Sequence, residues 1–205
     1  MKLTREFLSR SADEVAPDLL GYVISATIGD ERVAIRLTEI EAYAGVGEDP
    51  ASHAHRGRTP RNEVMFGPAG TAYVYFIYGM HWCVNVVTGP EGQAGAVLLR
   101  AGEVTEGLAL ARSRRLSARH DNDLARGPAR LSSALGVRGE FNGVDLLDSQ
   151  SPLQLSSPPA KNNARTSTSP RTGIAGEGSH TPWRYYLDAD PTVSPYRPRS
   201  RRTPR

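Results

Sequence analysis

Val33-Ala-Ile-Arg-Leu-Thr-Glu-Ile-Glu-Ala-Tyr43 alternates apolar with polar side chains, the pattern of a strand with one covered face. Side chains on a strand point to alternate faces, so strict alternation groups Val33, Ile35, Leu37, Glu39, Glu41 and Tyr43. Two carboxylates then continue an apolar face to the strand's end, unless a bulge changes the register. A glutamate in such a place suits general-base chemistry, because partial burial raises a carboxylate's pKa toward neutral pH. The plainer reading leaves Glu39 and Glu41 at the wet end of an edge strand.

Working outward, residues 20–28, 71–78, 81–88 and 94–104 are further β-prone runs. Ser11-Ala-Asp-Glu14 fits a capping box and predicts a short opening helix that stops near Gly21. Thr105 is a candidate cap for a helix over residues 108–116, and Pro128–Leu135 followed by Gly136 reads as another helix. Residues 156–182 lose apolar periodicity and become rich in Ser, Thr, Pro, Asn and Gly, the composition of a flexible insertion. Residues 183–187 read as a last strand, and 195–205 as a basic disordered tail. Strands segregated from helices predict an α+β fold with an antiparallel or mixed sheet, one domain over residues 1–194.

A chain of 205 residues suits one core. The single Cys83 excludes an internal disulfide framework, and five scattered histidines offer no zinc-ligand spacing, so we expect no metal, no cofactor and a reducing compartment. No segment approaches the roughly 20 apolar residues of a membrane span, and the charged N-terminus does not read as a leader, so a soluble, unexported monomer is expected. The net charge is only +3, but arginines concentrate in residues 53–61, 112–130 and 197–205, stretches suited either to phosphate contacts or to a solvated face. Of the 25 basic residues only Lys2 and Lys161 are lysines, which disfavours Schiff-base chemistry.

Gly70-Thr-Ala-Tyr-Val-Tyr-Phe-Ile-Tyr-Gly-Met-His-Trp-Cys-Val-Asn-Val-Val87 reads as a hairpin turning at Tyr78-Gly79-Met80. Hairpin tips ordinarily carry Asn, Asp, Ser or Gly. Tyr78 and Met80 instead suit an apolar wedge that opens stacked bases, with cross-strand aromatic pairing as the alternative. Asn85, among valines, must bond either backbone or a ligand's polar edge. Arg100 interrupts the apolar run 96–99, where an unpaired charge is costly, so it is expected to pair with Glu39 or Glu41. Tyr43, His53, Tyr73 and Tyr75 are flat side chains able to sandwich a base.

The motifs Thr38-Glu-Ile-Glu-Ala-Tyr43, His53, Thr59-Pro-Arg-Asn62, Tyr73-Val-Tyr-Phe-Ile-Tyr-Gly-Met80, Asn85 and Val97-Leu-Leu-Arg100 closely resemble, in order and spacing, the alkyladenine (3-methyladenine) DNA glycosylase family. Arg126-Gly-Pro-Ala-Arg-Leu131, Ala134-Leu-Gly136 and Phe141-Asn-Gly-Val-Asp-Leu146 extend the likeness over residues 2–155, and it resumes at Arg171-Thr-Gly-Ile174. The resemblance implies a single domain with a curved antiparallel sheet. It implies a base-excision repair hydrolase acting on double-stranded DNA that contains damaged purines, in the cytoplasm of a bacterium or the nucleus of a eukaryote. It makes Glu41 the general base, Arg100 its partner and the Thr172 carbonyl a third water ligand. Tyr43, His53, Tyr75 and Asn85 become the base pocket, and Tyr78, with Met80 beside it, the intercalating tip. The likeness is weakest over residues 156–170 and at His81-Trp82. A non-catalytic nucleic-acid-binding module on the same fold is the alternative. A sugar glycosidase using Glu39 and Glu41 fits poorly, because residues i and i+2 project in parallel and do not face each other across a bond.

Overall fold

The protein was analysed as a computed structural model that describes residues 3–158 and 164–198. Two short helices, α1 (Arg5–Leu8) and α2 (Ala12–Asp18), lead into β1 (Val23–Ile28) and β2 (Glu31–Tyr43). The hairpin β3 (Ala72–Ile77) and β4 (His81–Val87) is followed by β5 (Ala96–Glu106), α3 (Leu108–Arg114) and α4 (Pro128–Leu135). Three four-residue strands close the chain: β6 (Leu153–Ser156), β7 (Thr166–Ser169) and β8 (Arg184–Leu187). The fold is α+β, a single curled antiparallel sheet with helices packed against it. No described helix is long and apolar enough to cross a membrane.

The local signals explain most boundaries. The Ser11–Glu14 capping box forms at the start of α2, and α4 opens with Pro128 and stops at Gly136 in the left-handed conformation. The expected Thr105 cap does not form. Pairing of Ala34 with Glu106 holds Thr105 inside β5, where its hydroxyl donates to the Ala34 carbonyl. The helix starts after Gly107 (φ 73°) and ends at Arg114, leaving Leu116 89% exposed. Within the Ser/Thr-rich stretch, β7 pairs with β8, and Arg171 is fully buried.

β2 is the spine of the sheet, not an edge. One side pairs along its length with β5, and the other is shared by β1 at residues 31–36 and β8 at residues 39–41. Its register with β5 slips three times; two of the slips flank Glu39, where Leu37 faces Gly102, Glu39 faces Ala101 and Ile40 faces Leu99, and the third lies at Ala34 and Ile35. Thr38 is therefore an extra residue on β2 and Arg100 an extra residue on β5, the signature of a pair of bulges. A Cβ at Gly102 would collide with the Arg36 carbonyl, so only glycine lets the strands approach here.

The first bulge overturns strict alternation along residues 33–43. Val33, Ile35 and Leu37 lie in the main core, but beyond Thr38 that face is continued by Ile40 and Ala42. Directly paired residues of antiparallel strands share a face. The row Ala42, Val97, Val86, Ala72 is accordingly all core. The row beside it, Glu41, Leu98, Asn85, Tyr73, crosses four strands on the opposite face.

Candidate active site

That opposite face carries a cavity of about 260 Å³, at the small end for ligand sites and of a size for one flat heterocycle. Tyr43, His53, Tyr73, Tyr75, Asn85, Arg100, Thr172 and Tyr78 all line it, so the structure assembles nearly every candidate named from the sequence. Leu98, Ala96 and Cys83 reach it from the same face of β5 and β4, as the register requires.

Glu41 lies beneath the cavity with no exposed surface. Its Oε2 accepts from the Tyr43 hydroxyl (2.9 Å) and from Arg100 NH1 (3.1 Å), and its Oε1 from the Thr172 backbone N–H (2.6 Å). All three donors line the cavity. A carboxylate offers about four acceptor positions, so one position, on Oε1, takes no donor among the described residues. Burial, then the Glu41 charge, push the Tyr43 phenol well above its ordinary pKa, which keeps it protonated as a donor.

Glu39 holds the arginine from behind. Its Oε1 accepts from Arg100 Nε (2.7 Å), Arg184 Nε (2.7 Å) and Ser194 Oγ (2.9 Å), and its Oε2 from the Ser194 N–H (2.7 Å). Both glutamates are fully buried, which removes the reading as an exposed strand end. Burial works against Glu39's charge, but Arg100, Arg184 and the Ser194 hydroxyl outweigh it and hold its pKa below the ordinary value. Arg100 is raised for the matching reason: burial opposes its charge, and Glu41 and Glu39 overcome that. It pairs with both carboxylates at once because the bulge gives it no cross-strand partner and turns it inward.

The walls are aromatic. His53 Nδ1 and the Tyr73 hydroxyl are 2.9 Å apart, and the His53 ring meets Tyr75 edge-on with centroids 4.6 Å apart. Burial, and after it Arg61, hold the His53 pKa below 6.5, so the ring favours its neutral form. Burial lifts the Tyr73 phenol to about 12 and the Cys83 thiol to about 11, leaving both protonated near neutral pH. Asn85 Nδ2 donates to the Tyr73 carbonyl (2.9 Å), so this amide is tied to the sheet and still lines the cavity.

At the hairpin tip Tyr78 is 82% exposed and Met80 68%. Tyr78 (φ 54°) and Gly79 (φ 68°) are the two central residues of a turn closed by Met80 N–H to the Ile77 carbonyl. The left-handed conformation costs a bulky L-residue about 1–2 kcal/mol. Cross-strand aromatic pairing is supplied by Phe76 and Trp82, centroids 4.8 Å apart, and does not involve Tyr78 among the described residues. Met80 borders a second groove with Trp82, Arg114 and Arg138. The arginine-rich stretch after α3 begins is used largely by the fold: Arg112 pairs with Asp121, Arg114 bonds the last carbonyls of α4, and Arg115 bonds the Leu124 carbonyl.

Sequence reasoning missed the supports of the site. Asp49, Arg184 and Ser194 were not singled out, and Arg171 stood only within a motif. Each is a buried polar residue whose partner is remote in the chain, as in Arg171 with Asp49 and Ser194 with Glu39. The only available signal was a charge or hydroxyl next to large apolar residues, as at Trp183-Arg184-Tyr185.

The sequence pattern of the methylpurine-DNA glycosylase (MPG) family matches residues 6–191, and the chain belongs to that family. It is thereby a DNA repair glycosylase, a hydrolase of N-glycosidic bonds. Three similar proteins have names containing the words 3-methyladenine DNA glycosylase. That of Streptomyces avermitilis is 56% identical, covering 98% of this chain and 96% of its own length. That of Nocardia farcinica is 52% identical, covering 92% and 90%, and that of Burkholderia lata 45%, covering 94% and 90%.

Proposed function

We propose that this glycosylase flips alkylated or deaminated purines out of duplex DNA and hydrolyses the bond to C1′ with a water activated by Glu41, without a lyase step. The observation that carries this reading is the Glu41 carboxylate, held by three donors that all line the cavity, with one acceptor position on Oε1 that no described residue fills. A water seated there gives its proton to Glu41 as its oxygen bonds C1′, and the electron pair of the breaking bond leaves with the base. A base alkylated at N3 or N7 leaves neutral, whereas hypoxanthine takes up a proton. Arg100 shares its charge between Glu39 and Glu41, so Glu41 keeps negative charge to oppose the cationic character that develops on the sugar.

Tyr43, His53, Tyr73 and Tyr75 offer ring faces to the flipped base, and a cationic base gains about 0.5–2 kcal/mol on such a face. Tyr78, with Met80, fills the stack that the base leaves. Damaged or mismatched bases are cheaper to extrude, which adds selectivity before chemistry. The Thr172 carbonyl was the expected water ligand; the contact that supports a role for this residue is its N–H on Glu41, together with a buried Oγ1 that has no partner among the described residues.

The test is a duplex carrying one hypoxanthine or one alkylated purine. Base release with an alkali-labile site, and no borohydride-trapped adduct, is the expected result. Release accompanied by a trapped adduct would replace the water with an amine nucleophile. Binding to undamaged duplex should weaken steeply with added salt, since phosphate contacts release counterions.

A further inference from the structure

A second buried ion pair lies behind the cavity, apart from the Glu39 cluster. Arg171 is fully buried and grips Asp49 through both ends of its fork: NH1 to Oδ2 (2.6 Å) and NH2 to Oδ1 (2.8 Å). NH1 also donates to the Ala42 carbonyl (2.9 Å). The carboxylate is saturated, because Oδ1 also accepts from the Ala51 N–H (3.0 Å) and Oδ2 from the Ala44 N–H (3.3 Å). The guanidinium lies over the Tyr43 ring, 4.6 Å from its centroid, and over Trp183 at 5.2 Å. Its chain neighbour Thr172 puts its N–H on Glu41 at 2.6 Å.

This one side chain therefore joins three parts of the cavity wall that are remote in sequence. It fixes the ring of Tyr43, whose hydroxyl donates to Glu41. It ties down the loop that carries Ala51 and His53. It also sets the start of the 172–174 segment, which lines the cavity and holds Oε1 of Glu41. A flat, bidentate guanidinium has a single orientation that satisfies Asp49 and stacks on both rings, whereas an ammonium on the same stem is a point charge with no plane.

We infer that Arg171, locked by Asp49, is a positioning residue for hydrolysis: it aims the Thr172 N–H and the Tyr43 hydroxyl at Glu41 without touching the substrate. The inference rests on Glu41 being the base. Small errors in such geometry lower the chemical step far more than they lower binding.

Two variants test it. Arg171→Met with Asp49→Asn removes both charges and keeps volume, a replacement that buried pairs often tolerate. Arg171→Lys keeps the charge and loses the plane. Single-turnover excision at saturating protein should fall by about tenfold or more in both. Affinity for a duplex carrying a non-hydrolysable abasic analogue should stay within about threefold, because the Tyr78 tip and phosphate contacts are untouched. Leu153→Ala, which removes buried apolar volume on the short strand β6 paired to β1, serves as the structural control, with lower melting temperature and a retained rate. Wild-type excision by folded Arg171→Lys, or by the folded double variant, would overturn the clamp, as would a loss confined to binding. If the double variant does not fold, Arg171→Lys decides. Absence of excision by the wild-type chain would sink the proposed reaction itself, an outcome distinct from equal excision by wild type and variants.

Discussion

The Glu39–Arg100–Glu41 cluster and the Tyr78–Met80 tip stand at opposite extremes of exposure. Both glutamates have no exposed surface, and Glu39 alone accepts four hydrogen bonds. Tyr78 is 82% exposed, in a turn closed by the Met80 N–H on the Ile77 carbonyl. In the cluster, desolvation is offset by charge pairs inside the protein, so the fold itself holds these side chains in one arrangement. At the tip the apolar surface is left largely uncovered by the described residues, and the turn even accepts a strained tyrosine where asparagine would be easier. Interactions satisfied within the fold set geometry, and those left unsatisfied are available for binding.

If that division holds, substitutions in the cluster should alter rate or stability, and substitutions at the tip should alter binding alone. The largest effect is expected from Glu41→Gln. Glutamine neither takes the proton from water nor supplies negative charge, so single-turnover excision should fall about 10²- to 10⁴-fold while lesion binding survives. Excision near the wild-type rate would remove Glu41 from the chemistry.

Glu39→Gln should act chiefly on stability. It leaves Arg100 and Arg184 buried with one partner fewer, at a cost of about 3 kcal/mol or roughly 10 °C in Tm. The pH dependence follows in sign. Glu39's folded pKa lies below 4.5, so its stabilisation is complete above pH 4.5 and is lost as pH falls through the folded value. Thermal melts of Glu39→Gln should therefore show a shallower loss in acid than wild type. Parallel curves would mean that Glu39 carries little of the pH dependence.

Tyr78→Ala should weaken binding to lesion duplex about tenfold, the size of one lost base–aromatic stack of ~1–3 kcal/mol, with an unchanged or slightly higher Tm. A collapse in Tm would make Tyr78 a packing residue and erase the contrast. The smallest effect is expected at Asn85→Ser. Losing the bond to the Tyr73 carbonyl should cost about 1 kcal/mol, and the enlarged cavity should raise excision of guanine relative to hypoxanthine a few-fold. Selectivity that does not move would confine Asn85 to its backbone bond.

Local pattern in the sequence determined most of the secondary structure. Five β-prone runs, the hairpin with its apolar tip, the capping box of α2 and the proline-to-glycine span of α4 are short-range signals, and the structure shows each. The likeness to known glycosylases also picked out Glu41, Arg100, Tyr43 and Asn85, because their order along the chain is its carrier. Only the tertiary structure decided which way the carboxylates face. Alternation along residues 33–43 cannot reveal the bulge at Thr38, because the extra residue exists only relative to the partner strand, where Gly102 permits the approach. The supports were equally hidden: Arg171 finds Asp49 across 122 residues and Ser194 finds Glu39 across 155. A buried charge must be paired, but nothing local says with whom, and that choice is made when the sheet closes over both.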